Sequence, residues 1–98
     1  MEMAVSLLDI SRRLQIPPEE LVKKSILTFI AHEIRLAEWD IADIKERYEV
    51  SSRVELEDKI KGKELHSHPA WEDLIHWETL EDYLTCLQAI EEEVKVAA

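Results

Sequence analysis

The sequence predicts an all-α fold: a long antiparallel helical hairpin with short accessory helices, paired as an intertwined or bundled homodimer. Three observations predict it. A single glycine in 98 residues leaves little turn chemistry for β-hairpins. An apolar content of 46% argues against disorder. Two long stretches also carry apolar residues at 3-4 spacing, the period of a helix seam. A chain of this length buries roughly two-thirds of its unfolded surface, enough for one core, so residues 1–98 read as one domain.

Residues 5–15 form the first predicted element, a short amphipathic helix that offers Val5, Leu8, Ile10 and Leu14 for burial. Pro17 and Pro18 end it. Proline suits a first helical turn and acids suit the positive end of the helix dipole, so Pro18-Glu19-Glu20 opens a second helix over 18–48. Its seam is Leu27, Ile30, Ile34, Ala37, Ile41, Ile44 and Tyr48. Spacing of this kind fits one partner helix. A further stripe, Val22, Ile26, Phe29 and Leu36, is confined to the first half, which is expected to be covered by the first helix, a second protomer, or both.

Ser51-Ser52 with Glu55 three residues after Ser52 reads as a capping box opening a short helix over 52–61, with Gly62 as its stop. Lys63 to Pro69 (KELHSHP) is predicted as a polar loop. The last helix, 70–95, places Trp77, Leu80, Leu84 and Leu87 at 3-4-3 spacing. Two seams in one short chain are expected to face each other, with the third helix at the turn.

Twelve Lys and Arg against twenty-two Asp and Glu give a net charge of −10. That balance opposes nonspecific attraction to nucleic acid or an anionic membrane and favours a basic partner. Residues 49–98 carry 5 basic and 13 acidic groups, net −8, so the C-terminal half is the acidic one. Cys86 is alone, which excludes an internal disulfide. The N-terminus lacks a secretory pattern and no apolar stretch approaches the ~20 residues of a membrane span, so the expected location is cytoplasmic.

Chemistry-bearing groupings are sparse. His66, His68, His76 and Cys86 are of metal-ligating types, but His76 and Cys86 lie nearly three helical turns apart, and no metal or cofactor is expected. His32 beside Glu33, and Asp40 beside Trp39, would need a concave pocket for acid–base work, which helical hairpins rarely have, and no phosphate loop or nucleophile elbow is present. The expectation is a non-enzyme. Arg12, Arg13, Lys23 and Lys24 support a weaker DNA-contact reading, opposed by Glu19 and Glu20 on the second helix's first turn. Between His68 and Glu78, two tryptophans and two aliphatics alternate with acids. Trp71 and Trp77 are six residues apart and so occupy different flanks; a flank free for a partner and a plain core or self-dimer contact account for the pair about equally well.

Three segments in order, EELVKKSILTFIAHEI leading into DIADIKERYEV, then SSRVELEDKIKGKE, then HPAWEDLIHWETLEDYL, carry a resemblance. Residues 18–94 resemble a family of small antitoxin-like proteins from prokaryotic, chiefly archaeal, toxin–antitoxin modules. The resemblance implies an acidic C-terminal half that neutralises a basic nuclease-type toxin. It also sets a glycine after the Arg-Tyr pair, where this chain has Glu49.

The expected function is accordingly a non-catalytic, antitoxin-like binding module. Trp71, Glu72, Asp73, Leu74, Ile75, Trp77 and Glu78 are expected to meet the partner. A self-associating structural or adaptor coiled-coil protein is the alternative, and a DNA-binding regulator using the N-terminal helices is the third.

Overall fold

A computed structural model describes residues 6–63 and 67–97. It contains four helices: α1 (Leu7–Leu14), α2 (Pro18–Tyr48), α3 (Arg53–Lys61) and α4 (Ser67–Val96), with no strand among the described residues. The all-α expectation holds. The predicted Val5 lies outside the described residues.

Local chemistry explains each boundary. Ser6 caps α1 by accepting from the Asp9 N–H, and Gln15 ends it in the left-handed conformation, φ 58°. The Ile16 N–H then closes on the Ser11 carbonyl, and the Ser11 hydroxyl donates back to the Ile16 carbonyl, so this turn buries its one serine without leaving it unpaired. α2 opens on Pro18 with Glu19 and Glu20 in its first turn and closes with Lys45 and Arg47 in its last, charges that oppose the dipole at each end. Its stop is Glu49, at φ 54°, with the Val50 N–H donating to the Lys45 carbonyl at 3.0 Å.

Ser52 accepts from the Glu55 N–H at 3.2 Å, as the capping box requires. The reciprocal bond differs from the expected box, because the Glu55 carboxylate accepts from the N–H and hydroxyl of Ser51, one residue earlier. Gly62 does end α3, but at φ −78°. The left-handed position is Lys63, at φ 60°, so the stop does not use glycine's conformational freedom. Residues 67–69 correct the predicted loop: α4 starts at Ser67, with Pro69 inside its first turn, where its missing N–H costs no helical bond. The remaining loop positions 64–66 lie outside the described residues.

α2 and α4 pair antiparallel, and three tethers fix the register. Lys23 donates to the Ala97 carbonyl at one end, Tyr83 donates to Glu33 in the middle, and Arg47 donates to Asp73 at the other end. The seam performs as its spacing implies. Ile30, Ala37, Ile41 and Ile44 are buried, and Leu27, Ile34 and Tyr48 are half-buried.

The core is lopsided. Where α3 folds back, Ile41, Ile44, Val50, Leu56, Ile60, Ala70, Leu74, Trp77 and Leu80 form one cluster from three helices. Toward the opposite end α4 contributes only Leu87 to the buried set. The second stripe of α2 is not covered: Val22, Ile26, Phe29 and Leu36 all stay exposed, although α1 lies against α2, and Leu7, Leu8 and Leu14 of α1 are exposed too. The molecule is 60 Å long by 31 by 20, with a radius of gyration of 19.6 Å, against roughly 13 Å for a compact chain of this length.

Candidate protein-binding surface

The first turns of α4 divide the predicted partner residues into two sets. Residues three or four apart share a helix face, whereas six residues at about 100° each carry a side chain well around the axis. Trp71 and Ile75 therefore lie together on the outer flank, 38% and 59% exposed. Leu74 and Trp77 lie together on the inner flank against α2 and α3, and Trp77 is only 1% exposed. As partner anchors, Leu74 and Trp77 are corrected: the seam closes over them, and they are core residues. Trp71, Ile75, Glu72 and Glu78 remain at the surface.

Asp73 is also committed inward. Its carboxylate accepts from the Tyr48 hydroxyl and from Arg47 Nη1 at 2.8 Å, while Arg47 Nη2 reaches Asp43 at 2.8 Å. Burial, then the bond to Asp73, pushes the Tyr48 phenol above its ordinary range. The hydrogen bond and charge of Asp73 hold the Arg47 guanidinium in its charged form. The four groups clamp the end of α2 to the start of α4. Arg53 does the same for α3, meeting Glu78 at 3.2 Å and Glu81 at 2.8 Å. Glu78 therefore offers a partner only the oxygen that Arg53 leaves free.

Around these residues the surface is strongly acidic. α4 carries Glu72, Asp73, Glu78, Glu81, Asp82, Glu91, Glu92 and Glu93 against Lys95 alone. Glu72 is exposed beside His68 at 3.4 Å. Asp82, on the same outer side as Ile75, makes no ion pair among the described residues. An apolar pair framed by carboxylates can receive the aliphatic stem and cationic head of a lysine or arginine.

The other groupings have simpler roles. Among the described residues no three His, Cys, Asp or Glu side chains come close enough to hold a metal ion, and His66 lies outside those residues. Glu33 is taken by Tyr83 at 2.6 Å rather than by His32. Of the four cations weighed for DNA contact, Arg13 pairs with Asp9 at 2.6 Å, Lys24 with Glu20 at 2.9 Å, and Lys23 holds the Ala97 carbonyl at 3.0 Å. No described helix is long and apolar enough to cross a membrane.

One further feature was absent from the sequence expectations, and another was only half seen there. One is a shallow groove lined by Glu38, Ile41, Ala42, Lys45, Trp77, Glu81 and Leu84, where the Lys45 ammonium stands 5.9 Å over the Trp77 ring. The indole N–H of Trp77 has no acceptor, a buried donor for which the packing gives no partner. The other is an open apolar groove on the outer side of α2, lined by Lys24, Ser25, Thr28, Phe29 and His32, with Trp39 61% exposed further along the same helix. A 4-3-4-3 count over residues 25, 29, 32, 36 and 39 finds this face, but its two polar members, Ser25 and His32, hide it from a purely apolar search.

Comparison with known proteins gives one result. A family model described as "Uncharacterized protein MJ0235 family" matches residues 1–98. No curated protein and no solved structure matches.

Proposed function

This chain belongs to the uncharacterized MJ0235 family, and within it we propose that the protein is a non-catalytic binding module that neutralises a basic partner through α4. The partner is of the nuclease-toxin type, as the antitoxin resemblance implies, and the binding protein acts in the cytoplasm as a homodimer. One observation carries the reading: Trp71 and Ile75 stand exposed on a helix whose charged residues are acids save Lys95. Acids steer a cationic protein to this surface and match the groove with which it holds a phosphate backbone, and the apolar pair supplies the desolvated centre of the contact.

The test is co-purification with a basic protein encoded beside this gene. Retention of that protein by the wild-type chain, weakened at least tenfold by Trp71→Ala with Ile75→Ala, is the expected result. A wild-type chain that retains no such protein ends the toxin reading. The exposed Phe29 and Trp39 favour a second reading, a self-associating structural or adaptor protein, which predicts a stable oligomer and no basic partner. DNA contact through the N-terminal helices is less favoured, since three of its four cations already have partners; steep salt-dependent DNA binding is its signature.

A further inference from the structure

The side of α2 turned away from α4 carries a second set of heptad positions. Val22, Ser25, Phe29, His32, Leu36 and Trp39 recur at 3-4-3-4-3 spacing, roughly 130° around the helix from the buried seam. All four apolar members are exposed, and Phe29 reaches 60%. This is the arrangement of the a and d positions of a two-stranded coiled coil, with 22, 29 and 36 as one set and 25, 32 and 39 as the other.

Charge identifies the occupant. α4 is strongly acidic, but over residues 20–40, which bear the stripe, α2 carries three basic and four acidic residues and is nearly neutral. A second copy that approaches there leaves both acidic α4 helices on the far sides of the assembly. The flanks of the stripe also choose the direction. Arg35 and Asp40 make no ion pair among the described residues. In a parallel, in-register pair, residues five apart meet across the seam, which brings Arg35 of each copy to Asp40 of the other. An antiparallel pair with the same core would set Asp40 against Glu19, a repulsion.

We propose that α2 pairs with α2 of a second copy, parallel and in register from Val22 to Trp39, closed by two reciprocal Arg35–Asp40 pairs. The inference rests on the homodimer in the function proposed above and gives it a surface and a direction. Ser25 and His32 at core positions weaken the seam and help to fix its register. The contact is about 27 Å long and lies below the ~800 Å² per partner of a standard interface, so micromolar association is expected.

The experiment uses the full chain. Sedimentation equilibrium should show the mass doubling across the micromolar range. Arg35→Asp alone should weaken association about tenfold, and adding Asp40→Arg to the same chain should restore it. Cys86→Ser with Ser25→Cys should oxidise to a covalent dimer, because these positions face one another across a parallel axis within disulfide range. All the changed positions are exposed, and unchanged far-ultraviolet circular dichroism checks that the fold survives. A wild-type dimer in which Ser25→Cys fails to cross-link and the charge exchange fails to rescue overturns this interface while leaving the homodimer standing. A wild-type chain that stays monomeric overturns both, whatever the result with a basic partner.

Discussion

Trp71 and Trp77 share a segment and a side-chain type, yet their environments separate them. Trp77 fills the junction of three helices, so Trp77→Ala should destabilise the fold by roughly 3–5 kcal/mol in chemical denaturation. Trp71→Ala removes a side chain already over one-third open to solvent and should cost less, about 1–2 kcal/mol, with its main effect on partner binding. Equal losses of stability would contradict the division of α4 into inner and outer flanks. Glu49 makes the opposite kind of prediction. A side chain in the left-handed region at φ 54° is strained, and glycine relieves it, so Glu49→Gly should raise stability by about 1 kcal/mol. A melting temperature unchanged or lowered by Glu49→Gly would show that the surrounding turn holds the strain at no cost.

The start of α3 is acid-sensitive. Bonds from the Ser51 N–H and hydroxyl hold the Glu55 carboxyl below the usual glutamate range. A carboxyl depressed in the folded state contributes stability that is present above its unfolded value, about 4.3, and is lost as pH falls through the folded value. The stability gap between wild type and Glu55→Gln should therefore be present at pH 6 and close below about pH 4. A gap that stays constant from pH 6 to pH 3 would remove the carboxylate from the cap. The helices and their pairing were legible because each rests on local signals: Pro18 with Glu19 and Glu20, Ser52 with Glu55, and the 3-4 seam of α2. The first turn of α4 was not, since histidines, serine and proline read as loop although proline is tolerated in a helix's first turn. The candidate surface was half legible. Spacing shows that Trp71 and Trp77 diverge, but which of them faces inward depends on where α3 folds back, a long-range fact no local window contains.

At the scale of the molecule, the hairpin is closed into one buried three-helix cluster only where α3 returns, while α1 lies against the start of α2 with its leucines exposed. Such a shape leaves much apolar side chain at the surface and sets a gradient of stability from one end to the other. Amides near Leu56 and Trp77 should exchange with deuterium only on global unfolding, while those around Val22 to Ile26 and Ile90 to Val94 exchange through cheaper local opening. Uniform protection along α2 and α4 would contradict that gradient. Among the described residues, the Lys23–Ala97 bond is the one hydrogen bond that joins α2 and the end of α4 there. The protein thus resembles a pair of tongs riveted at one tip: the handles can part without the rivet giving way, and whatever grips the handles together will be felt as stiffness throughout.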